Sequence, residues 1–359
     1  MSRGNPTIED VAKAASVSRQ TVSRVINRRS NVREAVRARV EAAIAELGYV
    51  PSLAARRMGG ARSFLLLAVI ERGAGAAGAG ARSGRLPLDA MLLTGLETCS
   101  AAGYHLLFEQ LETDPGEGLA QLNRALTSLS PDGVVLTPPL EERDDLRAAV
   151  ESRRIALECL GERLEFGRPA PGIDDGALGE GATRHLLKLG HRQIGFVTGS
   201  ADPRRSERRL AGYRRAMAQS GSRAHRHFTA DGRLGFAEAV ALAKSWLLPT
   251  IRPTAVIAET EEVALAILDV ARELKIMIPR DLSLLSLEER ASLSRANPPI
   301  SAMFQPYERL FRNCCEKLIA RAEDSTAPAK SETAKQGAEE GAAFELIERK
   351  SLTKAPRAV

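Results

Sequence analysis

No stretch of these 359 residues approaches the roughly 20 consecutive apolar residues that a membrane-spanning helix requires, so no membrane partner is expected. The opening residues, MSRGNPTIED, lack the apolar core of a signal peptide. The four cysteines, Cys99, Cys159, Cys314 and Cys315, form no CxxC and have no metal-ligand spacing. That pattern predicts reduced thiols, a cytoplasmic setting and no metal, with the Cys314-Cys315 pair serving packing. A P-loop, an HExxH and a nucleophile elbow are all missing, so neither catalytic residues nor a cofactor is expected. SLTKAPRAV at 351–359 carries no leucine heptads, which leaves no basis for a coiled-coil tetramer.

Acidic charge is scarce in one region only. Residues 1–62 hold 12 Lys and Arg against 5 Asp and Glu, a net of +7, while the remainder has 39 basic and 40 acidic residues. The whole chain's +6 therefore sits in its first sixth. A basic module on a near-neutral body predicts contact with a polyanion at one end. No basic amphipathic helix of useful length favours a membrane surface instead.

That basic module has an informative pattern, TIEDVAKAASVSRQTVSRVIN at 7–27. Thr7 is placed to cap a first helix whose Glu9 and Asp10 sit among the free N–H groups of its first turn. Ile8, Val11, Ala12 and Ala15 form one apolar face. Ser16-Val17 interrupts the pattern, and Ser18 is placed to cap a second helix over 19–26 with Val22, Val25 and Ile26 inward. Its other side carries Arg19, Gln20, Ser23 and Arg24, with Asn27 just beyond. This is the layout of a helix-turn-helix, whose second helix enters the major groove of double-stranded DNA. Arg and Gln make two-point contacts with guanine and adenine respectively, which nominates Arg19, Gln20 and Arg24 as base readers. Thr7, Ser18, Thr21, Ser23 and Asn27 are short donors suited to phosphates. On its own, this face also fits a solvated polar surface.

A third helix follows, with Val36, Val40, Ile44 and Leu47 at helical spacing, Arg33 near its start and Gly48 at its end. Pro51 then opens a helix of about two turns, closed by Gly59-Gly60, which is too short to stand alone. The run TIEDVAKAASVSRQTVSRVIN…VEAAIAELGYVPSLAARRM resembles the headpiece of the lactose-repressor (LacI/GalR) family of bacterial transcriptional regulators. The resemblance implies a helix-turn-helix at 1–48 and a hinge at 49–62. In that hinge Ala55 and Met58 meet the minor groove, with Met58 as an apolar wedge at the operator centre. It further implies a homodimer on a pseudo-palindromic operator, because two-fold protein symmetry requires two-fold DNA.

From residue 64 the chain alternates short apolar runs with amphipathic segments. Strands are expected at 64–70, 104–108, 133–136, 155–160, 193–197, 254–258, 282–286 and 300–304. Helices are expected at 90–101, 117–129, 177–189, 206–220, 234–247, 261–274 and 306–321. So many βα units predict two doubly wound parallel-sheet lobes, with a ligand at the strands' carboxyl ends. GIDDGALGEGATRHLLKLGHRQIGFVTG and RPTAVIAETEEVALAILDVARELKIMIPRDLSLLSLEE resemble the same family's core, which is like the periplasmic sugar-binding proteins. The expected fold is thus an all-α headpiece plus a two-lobed α/β core at 63–350. Lobe one takes 63–172 and 299–326, lobe two 173–298 and 341–350, and 351–359 is a tail. The chain would cross between lobes near 172, near 298 and within 326–341, where a polar low-complexity loop precedes the closing strand FELIER.

By the same resemblance, Arg209 matches the arginine that grips effector oxygens, and Asp175 stands where the family has Asp or Asn. Thr260 and Glu261 replace a usual Asn-Asp. Ser286, Leu287 and Glu288 replace Gly, an aromatic platform and Asp. Asp175, Arg209, Thr260 and Glu288 are therefore the candidate effector residues, for a sugar-like small molecule. The local alternatives are a surface arginine in the RRSERR run and an Asp capping the helix at 177. The loop ERGAGAAGAGARSGRLP after the first strand departs most from the family. It contains Gly73-x-Gly75-x-x-Gly78, but no helix opens behind it to hold a pyrophosphate, so a Gly/Ala loop is the reading. His105, His185 and His191 read as structural. Two regulator readings stay open: a repressor controlled by an effector between the lobes, and one whose degenerate core only dimerises or meets a protein partner. An enzyme on the same body has no supporting motif.

Overall fold

Thr7 and Asp10 start the first helix by binding each other. The computed structural model describes residues 6–26, 32–49, 62–72, 87–161, 164–165, 168–169, 172–199, 202–222, 228–230, 234–249, 252–323 and 344–356. In it the Asp10 N–H donates to Thr7 Oγ1 while Asp10 Oδ2 accepts from the Thr7 N–H at 2.8 Å and from its hydroxyl at 2.7 Å, a reciprocal capping box. Helix α1 (Ile8–Ala14) ends at Ser16, whose φ of 53° turns the chain sharply. Helix α2 (Arg19–Ile26) begins one residue after Ser18, whose Oγ accepts from Thr21 N–H at 3.2 Å. Helix α3 (Glu34–Leu47) has no side-chain cap at Arg33 and stops at Gly48, whose φ of 61° only glycine adopts freely. Val11, Val22, Val25 and Val40 form the centre of this small core.

Among the described residues the body holds two large sheets and one two-stranded pair. The first has the order β2-β1-β3-β4, all parallel. Its strands are β1 (Leu65–Glu71), β2 (His105–Leu111), β3 (Gly133–Leu136) and β4 (Ala156–Cys159), linked by helices α4 (Leu88–Ala101), α5 (Pro115–Leu129) and α6 (Asp144–Glu151). A small antiparallel pair, β5 (Leu164–Glu165) and β6 (Arg168–Pro169), follows. Next come α7 (Asp175–Lys188), β7 (Ile194–Val197), α8 (Pro203–Gln219), β8 (Thr229–Ala230), α9 (Phe236–Leu247), β9 (Ala255–Ala258), α10 (Glu261–Glu273), β10 (Ser283–Ser286), α11 (Ala291–Arg295), β11 (Ser301–Phe304), α12 (Tyr307–Glu323) and β12 (Glu345–Ile347). The second sheet has the order β12-β11-β10-β9-β7-β8, with only β12 antiparallel. Strands β3, β7, β9 and β10 are buried at every position, as parallel strands covered by helices on both faces must be.

Several boundaries differ from the sequence expectation. The second crossing does not fall near 298: β11 pairs with β10 in the second sheet, so the chain leaves that lobe at 305–306, and α12 then packs on α4, β3 and β4 of the first. The first strand starts at Leu65 because Phe64 has a φ of 52°, with its N–H and that of Ser63 tied to the Asp132 carboxylate at 2.7 and 2.9 Å. Residues 351–353 are not a tail. Ser351 is fully buried and donates to Leu284 O at 2.6 Å, Leu352 is buried, and Thr353 O accepts from His191 at 3.0 Å. His191 is structural, also reaching Thr254 and Ser283. The hinge with Ala55 and Met58, Asn27, the Gly73–Gly78 motif and the polar loop within 326–341 lie outside the described residues.

Candidate functional site: a groove-reading helix and a cavity between the lobes

Burial divides α2 into two faces. Val22 and Val25 are buried, while Arg19, Gln20 and Arg24 are exposed. Thr21 and Ser23 are half-buried at the edges. Ser18 Oγ lies 2.9 Å from Thr21 Oγ1, so both hydroxyls also stabilise the helix start. Thr7 belongs to the capping box described above. Arg19 is held by Glu9 of α1 at 3.2 Å, with both side chains 62 % exposed. Water screens such a pair, and its worth is small. Arg24 has no ion pair among the described residues and projects from the same surface. The arrangement presents a bidentate donor set on a rigid helix, as major-groove readout requires.

The second site lies where α8 meets the strand ends. Asp202 caps α8, accepting from Arg204 N–H at 3.0 Å, and Pro203 opens the helix. Helices α7 and α8 approach to backbone contact. A Cβ at Gly179 would strike the Arg209 carbonyl, and one at Gly212 would strike that of Gly176. This approach brings Arg209 and Arg205 to Asp175, which is 2 % exposed. Arg209 Nε donates to Asp175 Oδ1 at 2.6 Å and its other arm to Glu259 Oε1 at 3.3 Å. Arg205 Nε donates to Asp175 Oδ2 at 3.1 Å and its Nη2 to the Tyr307 hydroxyl at 2.5 Å. Glu259, also buried, accepts from Ser206 at 2.7 Å and from Gly199 N–H at 2.8 Å. Burial opposes the charge on Asp175, but the two guanidiniums outweigh it and hold the carboxyl below its usual range.

Above this network is a cavity of about 280 Å³, walled by Arg205, Arg209, Glu288, Glu289, Arg290, Phe304, Gln305 and Tyr307, with Asp89 and Glu308 at its first-lobe side. It sits at the carboxyl ends of β10 and β11, where open α/β sheets bind ligands. Glu288 is buried, and its Oε2 accepts from Glu261 N–H at 3.2 Å. Burial pushes its carboxyl up, and Arg290 and Arg209 partly offset this. Glu289 is neutralised by Arg349 through contacts of 2.6 and 2.7 Å.

Of the four candidate effector residues, Arg209 and Glu288 line this cavity and Asp175 lies behind it. Thr260 is set apart: fully buried, it caps α10 through Val263 N–H at 3.4 Å. Asp175 does not cap α7, since Asp174 accepts from Ala177 N–H at 2.6 Å. Leu287 is fully buried and gives the cavity no platform. Sequence reasoning missed Arg205, Glu259, Gln305 and Tyr307. Arg205 precedes Arg209 by one helical turn, and Glu259 directly follows β9, so both were open to a stricter reading of position.

A basic three-helix module joined to a two-lobed α/β body, with a cavity at the strand ends, is the architecture of a DNA-binding regulator. Residues 7–52 match the bacterial regulatory proteins of the lacI family, and residues 183–351 match the periplasmic binding protein-like domain. The ribose operon repressor of Escherichia coli K12 is 28 % identical over 321 residues, covering 88 % of this chain and 92 % of the relative. The HTH-type transcriptional repressor PurR of Photobacterium profundum is 27 % identical over 324 residues, covering 89 % and 92 %. Among solved structures, a lac repressor dimer bound to operator and the anti-inducer ONPF superposes with a TM-score of 0.72 at 21 % identity over 98 % of this chain and all of that one. The regulator CelR in its cellobiose complex gives 0.61 at 25 % identity, covering 96 % and 99 %.

The chain belongs to the LacI family of bacterial transcription regulators. Among the described residues no helix is long and apolar enough to cross a membrane.

Proposed function

We propose that this regulator is a repressor that binds a pseudo-palindromic operator as a homodimer, with Arg19, Gln20 and Arg24 reading bases and a small polar molecule in the interlobe cavity shifting its operator affinity. The observation that carries the reading is the two-faced α2: its valines hold the headpiece core while its arginines and glutamine are left to solvent. The lac repressor structure named above is a dimer on operator DNA, and a dimer here is supported by Leu92, Leu93 and Leu96 of α4. These stand 41 %, 63 % and 43 % exposed on one side of the first lobe, an apolar stripe suited to burial against a second copy. Effector binding would then bias an equilibrium between two lobe arrangements.

A second reading has one observation in its favour. Arg209 already bonds Asp175 and Glu259, so the arginine position that the family turns to effector is satisfied from within. On that reading the core only dimerises or meets a protein partner.

Selection of binding sites from random duplex DNA by the full chain tests the first part. A symmetric two-half-site consensus supports it, and recovery of a single asymmetric half-site overturns the dimeric operator. Release of that operator in a screen of sugars, nucleosides and small acids separates the two core readings.

A further inference from the structure

Two acceptors in the cavity wall are short of partners among the described residues. Gln305 is the first. Its Nε2 donates to the Leu287 carbonyl at 2.6 Å. A carbonyl only accepts, so the amide orientation is fixed by chemistry. Its Oε1 is then buried with no hydrogen-bond partner, and a buried acceptor left unsatisfied is costly.

Glu288 is the second. It is 8 % exposed, forms no ion pair among the described residues, and gives only one oxygen to a backbone N–H. A desolvated carboxylate needs a positive partner. The wall's guanidiniums at Arg205 and Arg209 are already committed to Asp175, Glu259 and Tyr307. Arg290 has contacts of its own. On the first-lobe side, Asp89 and Glu308 add negative charge and have no ion pair among the described residues. An anionic ligand would add like charge beside Glu288, Asp89 and Glu308, while a neutral one adds nothing to the partial offset that Arg290 and Arg209 give Glu288.

We propose that the interlobe cavity takes a small primary ammonium ligand of monosaccharide size, with Glu288 as its counter-charge and Gln305 Oε1 as an acceptor for one of its N–H or O–H groups. This rests on the reading of the cavity as the effector site. The volume of about 280 Å³ lies at the low end for small-molecule pockets, which sets the size.

The test is isothermal titration of the full chain with three probes that share one skeleton: glucosamine, glucose and glucose 6-phosphate. Glucosamine is expected to bind at least tenfold tighter than glucose, and the phosphate weakest. Glu288→Gln keeps the acceptor for Glu261 N–H and removes the charge. It should erase the tenfold preference while changing glucose affinity less than threefold. Glucose or glucose 6-phosphate binding as tightly as glucosamine overturns the ammonium assignment and leaves the cavity an effector site. Binding by none of the three overturns it as well, and the operator-release screen then decides the cavity's role separately. The ranking on the unmodified chain stands as a test even if the variant does not fold.

Discussion

Arg208 on α8 donates to Glu142 at 2.8 Å, joining the second lobe to the short turn after β3 of the first. Arg204, one turn earlier, reaches the other oxygen of the same carboxylate at 2.5 Å. These pairs, with the bond from Arg205 to Tyr307, bridge the two lobes on one side of the cleft.

Replacing Glu142 by Gln is expected to loosen the lobes with little loss of stability, because water screens the pair with Arg204, whose side chain is 69 % exposed, and the amide keeps an acceptor for Arg208. Burial raises the Glu142 pKa, but hydrogen bonds and charge from Arg204 and Arg208 outweigh it and leave it depressed. A depressed carboxyl contributes its stability above the ordinary value of 4.5 and loses it as pH falls through the depressed one. Small-angle scattering should show the unmodified chain expanding on acidification through that window. The Gln variant should already be expanded at neutral pH and unresponsive there.

Glu141, its neighbour, behaves oppositely. Burial pushes its carboxyl up to about 8, and its Oε2 has no hydrogen-bond partner among the described residues. Arg205 lowers it somewhat, while Glu142 and Asp202 raise it. The folded state holds this proton where the unfolded chain has released it. Stability is therefore full below 4.5 and falls as pH rises through about 8. Thermal melts from pH 5 to 9 should show that decline in the unmodified chain. Glu141→Gln should flatten it, gaining on the order of a few kcal/mol at the alkaline end.

Gly179→Ala is expected to destabilise by about 1–3 kcal/mol, because the new Cβ meets the Arg209 backbone rather than a movable side chain. Gly116→Ala is the matched control: near the start of α5, its closest neighbour is Asp114 Oδ1 at 3.5 Å. Denaturant melts should find that change neutral or slightly stabilising. Equal losses at both positions would show that helix packing is not the cause.

Arg24→Ala is expected to cost about 1–3 kcal/mol of operator affinity, concentrated at one base pair of each half-site. Non-specific duplex binding should weaken only slightly, since other basic residues keep the phosphate contacts. Selected-site binding by the two proteins checks this, and an unchanged preference removes Arg24 from the reading set.

Much of this was legible from local pattern. Strands β3, β7, β9 and β10 were readable because a buried parallel strand is a short apolar run between turns. The helices α5, α7 and α8 begin two or three residues earlier than periodicity indicates. In each the starting signal is an Asp cap, at Asp114, Asp174 and Asp202, followed by Pro115 and Pro203 in two of them. Nothing local reveals which sheet β11 joins, because its pairing with β10 is long-range, and so the crossing was misplaced. The site was half legible. Position singled out Arg209 and Glu288, but the partnership of Arg209 with Asp175 spans 34 residues and that with Glu259 spans 50. The RRSERR run resembles a solvated charge cluster until α7 is laid against it.

The glycine contact between α7 and α8 has a mechanical consequence. With Gly176, Gly179 and Gly212 locking backbone against backbone, the two helices move as one plate, and Asp175 pins Arg205 and Arg209 to it. If Arg209 swings aside, Glu259 loses its guanidinium contact at 3.3 Å; if Arg205 does, Asp175 keeps Arg209 at 2.6 Å and the more distant Arg208. When the lobes separate, the strip at 305–306, which joins β11 of one lobe to α12 of the other, is one of the places where the chain must bend. Gln305 lies on that strip, so any molecule that bonds its Oε1 holds the protein at one of the points about which it turns.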